Sequence, residues 1–152
     1  MESTPVAIIG AGPIGLETAA ALKRAGVSYV QFDAGQVGST MGWWAPGTRF
    51  FSSPERIEIA GVPLALPHQD KATREEYLAY LRGVARQFEL EVRAFERVVS
   101  IEPLGPGRGF LLRTRRGNGT ESLISADKVV AAIGDMHRPR MQIGRASCRE
   151  RV

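Results

Sequence analysis

The stretch VAIIGAGPIGLETAAALKRAGVSYVQFD, residues 6–33, decides how this chain folds. It opens on a β-branched apolar run, residues 6–10, that ends in glycine and suits a buried parallel strand. Leu16, Ala19, Ala20 and Ala21 then recur as the apolar side of a helix laid on a sheet. Lys23 and Arg24 followed by Gly26 give the basic last turn and glycine stop expected of a helix C-terminus. Residues 27–33 read as a second strand. Together these predict a compact βαβ unit.

The turn between the first strand and the helix, GAGPIG, sets Gly10, Gly12 and Gly15 in G-x-G-x-x-G spacing. That spacing alone is weak, but its mechanism needs a strand before, a helix after and an acid at the end of the next strand. All are present, which disfavours the bland reading of a ligand-free glycine turn. Gly10 permits the tight turn, Gly12 lets backbone approach a pyrophosphate, and Gly15 lets the helix lie close to the strand. The helix N-terminus offers free N–H groups and a positive dipole end to phosphates. Asp33, about 20 positions on, suits the hydroxyls of an adenosine ribose and disfavours a 2′-phosphate. The site is therefore expected to take FAD or NAD rather than NADP.

Residues 34–70 show no sustained period and many Gly, Pro and Ser, so a long loop is expected, with a short helix near residues 53–59. Loops of this length are usually functional or disordered. Met41, Trp43, Trp44, Phe50, Phe51 and Ile57 argue against disorder. TREEYLAYLRGVARQF opens with a capping box, Thr73 to Glu76, and carries Tyr77, Leu81, Val84 and Phe88 at helical spacing. LEVRAFERVVSIEPL, GFLLRTRR and TESLISADKVVAAIG read as strands broken at GPGRG and RGNG. A simple NAD dehydrogenase would continue with further βαβ units. The hairpin-like strands and the return to an apolar strand ending in Gly134 resemble instead the pattern of the two-dinucleotide-fold flavoproteins, and that resemblance implies FAD.

The 152 residues suffice for one domain. No apolar run is long enough for a membrane span, and the start is not a secretory signal. One cysteine makes no internal disulfide, and no Cys/His cluster suggests zinc. A cytoplasmic location is expected from these absences. The net charge of +4 raises nucleic acid as a partner, but the charges are interspersed. The densest basic spot, RTRRG, is expected at a solvated hairpin tip. No nucleic acid or membrane partner is expected. His68 and His137 show no visible partner and read as surface or structural residues, and no catalytic residue is named.

TRFFSSPERIEIAGVPL (residues 48–64), YLAYLRGVARQFELEVRAFERVVSIE and VVAAIGDMHRPR resemble, in order and spacing, the bacillithiol-disulfide-reductase-like and flavin-monooxygenase-like FAD/NAD(P)-dependent oxidoreductases. Ala132-Ile133-Gly134 resembles their Ala-Thr-Gly motif, with Ile for Thr. The resemblance covers about residues 6–140. It implies an α/β, Rossmann-like FAD-binding domain, a parallel sheet with a βαβ unit plus a β-meander, present here in incomplete form. It implies FAD bound by this segment, NAD(P)H as reductant of the parent enzyme, and a small-molecule or thiol/disulfide electron acceptor. By motif position, Gly10, Gly12, Pro13, Ile14, Gly15, Asp33 and Ala34 would face the pyrophosphate and ribose. Thr40 and Met41 would lie near the flavin, the Val98 backbone would meet the adenine, and Ala132 and Gly134 would close the site. Bacillithiol-reductase-like members carry Cys where this chain has Ile14, so thiol chemistry on this segment is unsupported. Trp43 and Trp44 could shelter a flavin ring or simply pack on the core. The competing readings are a stand-alone, non-catalytic NAD or nucleotide-binding module and an NAD-dependent dehydrogenase fragment.

The last eleven residues, QIGRASCRERV, change character: they are basic, lack a helix or strand stripe and hold the sole cysteine, Cys148. They can be encoded by DNA that resembles a standard short-read sequencing adapter read in one frame. Residues 1–141 are therefore expected to be the N-terminal part of the FAD-binding domain, and residues 142–152 a non-native, unpacked tail. A domain cut there should leave an open edge and an exposed apolar face, and be inactive alone.

Overall fold

A computed structural model describes residues 1–68 and 70–136. The expected tail, Cys148 and His137 lie outside the described residues. Six strands, β1 (Glu2–Ile9), β2 (Tyr29–Phe32), β3 (Val92–Arg93), β4 (Glu96–Pro103), β5 (Phe110–Arg116) and β6 (Glu121–Ala131), form one sheet in the order β3-β2-β1-β6-β5-β4. The helices are α1 (Pro13–Arg24), α2 (Pro54–Ile57) and α3 (Arg74–Gln87), and a 3-10 helix spans Ser39–Trp43.

The βαβ unit forms as expected: β1 pairs parallel to β2 with Val6 beside Tyr29 and Ile9 beside Phe32. Helix α1 begins with Pro13 in its first turn, where a missing N–H costs nothing, and ends on Lys23 and Arg24. The Thr73–Glu76 capping box forms at the start of α3. Strand β6 joins two kinds of pairing. Its first half runs antiparallel to β5, and residues from Ile124 onward lie parallel to β1. The meander thus continues the parallel sheet.

Period-2 alternation divides β1 between two cores. Val6 and Ile8 face α1 and α3 with Leu16, Ala19, Tyr77, Leu81 and Val84. Ala7 faces the other way, with Phe32, Leu112, Ile124 and Ala126. The meander therefore covers the sheet face that the helices leave open.

Several expectations need correction. LEVRAFERVVSIEPL is two strands at opposite edges of the sheet, separated by a corner where Phe95 has φ +57°. The Phe95 amide bonds the Gly35 carbonyl and its carbonyl accepts from Gly117, which anchors that corner. Residues 113–116 are strand rather than loop, because β4 and β6 both pair with β5 there, and only the following glycine enters the turn. The long loop holds the unpredicted 3-10 helix, and two of its aromatics, Trp44 and Phe50, pack in line with Tyr77 and Tyr80 of α3 at successive centroid distances of 5.2, 4.6 and 5.6 Å, while Phe51 is exposed. His68 has a partner after all, Glu76 at 3.2 Å. Among the described residues, no helix is long and apolar enough to cross a membrane.

Candidate functional site

The carboxyl ends of β1, β2 and β6 meet at the glycine turn, the end of an open α/β sheet where ligands bind. The three glycines do different work there. Gly10 has φ +112°, and a Cβ on it would stand 2.2 Å from the Ala132 carbonyl oxygen. A Cβ on Gly15 would stand 2.1 Å from the Gly10 carbonyl oxygen. Both positions are closed to any side chain by backbone. Among the described residues, nothing stands within 4 Å of the Gly12 Cβ position. Gly12 therefore leaves space open where Gly10 and Gly15 remove it.

Helix α1 starts at that opening. Gly12 is its N-cap, with no capping side chain and no acid in the first turn. The first helical bond runs from the Leu16 amide to the Gly12 carbonyl, 3.0 Å. The amides of Gly12, Ile14 and Gly15 lie ahead of it, and Pro13 has none to offer. An anion at this ledge would meet three N–H donors and the positive end of the helix. Ile14 beside them is 66% exposed.

The Asp33 carboxylate ties the turn to the loop after β2. Its Oδ2 accepts from the Ala11 amide at 2.7 Å, and its Oδ1 from the Gly35 amide at 2.7 Å and the Ser39 hydroxyl at 3.1 Å. The Gly38 amide donates to the Ala11 carbonyl at 3.0 Å. Ala11 thus spends both backbone groups on the segment after β2. A carboxylate offers about four lone-pair sites, so the half-buried Asp33 keeps room for one more donor.

Of the residues singled out from sequence, Gly10, Gly12, Pro13, Ile14, Gly15 and Asp33 gather at this turn, with Ala132 backbone to backbone against Gly10. Ala34 is exposed beside Asp33, and Thr40 sits half-buried on the 3-10 helix. Met41 is buried against the helical core. Val98 packs by its side chain on the second core, two residues past Glu96, whose amide bonds the Asp33 carbonyl at 2.9 Å. Gly134 has φ +68°, and among the described residues nothing stands within 4 Å of its Cβ position. The two tryptophans part company: Trp44 packs on the core and Trp43 is 73% exposed. A surface cleft of about 350 Å³ lined by Lys23, Gly26, Tyr29 and Glu89 lies at the amino end of β2, away from the turn.

Sequence reasoning passed over Gln31 and Ser39. A polar residue inside the apolar run YVQF was the available signal for Gln31; nothing local marked Ser39.

Residues 7–147 match the sequence profile of the pyridine nucleotide-disulphide oxidoreductase family. The chain belongs to that family. Within it, the fold is similar to the bacillithiol disulfide reductase Bdr from Bacillus cereus, with 30% identity and a TM-score of 0.87 over 93% of this chain and 43% of that one. It is also similar to a flavin-containing monooxygenase from Stenotrophomonas maltophilia, with 29% identity and a TM-score of 0.72 over 87% of this chain and 38% of that one. By sequence it is 30% identical to the flavin-containing monooxygenase FMO GS-OX3 of Arabidopsis thaliana, over 93% of this chain and 37% of the relative. The chain spans less than half the length of each.

Proposed function

We propose that this family member is the FAD-binding portion of an NAD(P)H-dependent flavin oxidoreductase, with the ADP part of FAD held on the glycine turn. The observation that carries the reading is the contrast among the glycines: two closed by backbone, and Gly12 open at the start of an uncapped helix. That cradle fits a pyrophosphate. Bound FAD would supply the redox chemistry between NAD(P)H and an electron acceptor. The chain's own part is to bind and orient: Gly12, Ile14 and Gly15 give amides to the phosphates, Asp33 gives its remaining acceptor site to a ribose hydroxyl, and Ala132 backs the turn. Thr40, Met41, Val98 and Gly134 complete the proposed contact set.

The acceptor is a small molecule or a disulfide. The names of the similar proteins include a bacillithiol disulfide reductase and flavin-containing monooxygenases. Ile14 at the turn gives no thiol to a disulfide exchange, which favours an acceptor that meets the flavin directly. The sequence carries one G-x-G-x-x-G, so residues 1–152 are expected to bind FAD without oxidising NAD(P)H by themselves.

Titration of the full chain into FAD, followed by flavin fluorescence, tests the reading. Saturable binding that Gly12→Val weakens by about tenfold, without unfolding the chain, is the expected result. Binding of NAD but not FAD would hand the site to the nucleotide-binding-module reading.

A further inference from the structure

Gln31 lies fully buried in β2, flanked by Ile8 and Val92 in the neighbouring strands. Its Nε2 donates to the Gly10 carbonyl at 2.8 Å. Its Oε1 is buried with no hydrogen-bond partner among the described residues. A central parallel strand favours Val or Ile at such a position, and a buried acceptor without a partner is destabilising. The residue therefore carries a cost that an apolar side chain would remove.

The benefit lies on its other atom. The Gly10 carbonyl and the Ala11 amide belong to one planar peptide unit. Gln31 holds the oxygen end of that plane, and the Asp33 carboxylate holds the N–H end at 2.7 Å. Asp33 follows directly on the end of β2, two residues past Gln31, and both side chains reach the same peptide. Gly15 closes on the same carbonyl from the helix side. Without the Gln31 donor, the carbonyl would be left unpaired, and rotation of the plane toward another donor would pull the Ala11 amide off Asp33.

We infer that Gln31 is a positioning residue for the phosphate-binding turn: with Asp33 it clamps the Gly10–Ala11 peptide at both ends, and so fixes the outward aim of the amides that follow. The inference rests on the FAD reading for its ligand, and on the chain's own hydrogen bonds for the clamp.

The test compares the full chain with Gln31→Met, which keeps the side chain's length and loses both the donor and the orphan acceptor. The two losses act in opposite directions on stability, so the melting temperature should stay within a few degrees. FAD affinity should fall by about tenfold. The Ala11 amide resonance in a nitrogen–proton correlation spectrum should move upfield, while amides of α3 stay in place. Packing alone would not move Ala11 selectively. Unchanged FAD affinity together with an unmoved Ala11 amide overturns the inference. A wild-type chain that binds no FAD sinks the functional reading, and the Ala11 signal still decides the clamp. Should Gln31→Met not fold, Gln31→Glu gives a second reading. Its neutral acid at about pH 5 can donate to the Gly10 carbonyl and its anion at about pH 8 cannot, so binding should be recovered only on the acid side. Binding that stays equal while the pH is raised through the titration of the introduced carboxyl, followed by its carbon-13 resonance, also overturns it.

Discussion

Gly15 rests directly on the Gly10 carbonyl, so close that a methyl group on Gly15 would sit 2.1 Å from the oxygen. Both partners are backbone, so neither can swing aside. Gly15→Ala should cost about 3 kcal/mol, the upper range for an overpacked core. Gly12→Ala meets open space and should cost under about 1 kcal/mol, as an N-cap change. On the proposed function the order reverses for selectivity: Gly12→Ala weakens FAD while leaving the fold intact. Urea unfolding and flavin fluorescence on the two variants would separate these effects.

Asp33 is expected to matter for stability before any ligand is added. Asp33→Ala leaves the Ala11 and Gly35 amides and the Ser39 hydroxyl without their acceptor. Hydrogen bonds to a charged group contribute about 1.5–3 kcal/mol each at most, and these share one group, so a loss of about 3 kcal/mol is the expected total. Ser39→Ala removes the longest of the three and should cost about 1 kcal/mol. Equal losses for both variants in chemical denaturation would show that the carboxylate does not organise the turn.

The start of α3 gives a prediction independent of any ligand. Thr73 accepts from the Glu76 amide, and the Glu76 carboxylate accepts from the Thr73 amide at 2.7 Å. Thr73→Ala should cost about 1 kcal/mol, or about 2–4 °C in melting temperature for a chain of this size.

Acid should weaken one tie between sheet strands. Arg93 on β3 grips the Glu2 carboxylate on β1, with one contact of 2.8 Å. The hydrogen bond and charge of Arg93 hold the Glu2 carboxyl below the usual glutamate range. A depressed folded-state value means the stabilisation is present above the unfolded-state value and is lost as pH falls through the folded one. The pair is substantially exposed, so salt screens it and its effect is small. The melting curves of wild type and Glu2→Gln should therefore differ near neutral pH at low salt and converge in acid.

Residues 142–152 are expected to add nothing to ligand binding. A chain ending at Met141 should match the full chain in FAD affinity, and a loss there would assign the tail a role in the family's domain.

The βαβ unit was legible because two signals agreed: apolar runs that stop at glycine, and glycines at a spacing with a mechanical reason. The capping box of α3 was legible because its partners are three residues apart. What escaped was partner choice. Alternation marks residues 90–104 as extended, but says nothing of which strand each half pairs with, so the corner at Phe95 was invisible. The 3-10 helix at Ser39–Trp43 is too short to show a period. At the site, the glycines and Asp33 stood out by spacing. The partners of Asp33 did not, since Ala11 and Ser39 reach it through the fold.

The pairing of β1 with β6 sets Glu2 beside Ile124, almost the full described length apart. During synthesis β1 therefore waits for β6 before its second neighbour exists. Closing so large a loop is entropically costly, and topologies dominated by such pairings fold slowly, on the order of milliseconds to seconds. Until β6 arrives, the side of β1 away from β2 is an unpaired parallel edge, which makes the nascent chain most vulnerable to aggregation during synthesis.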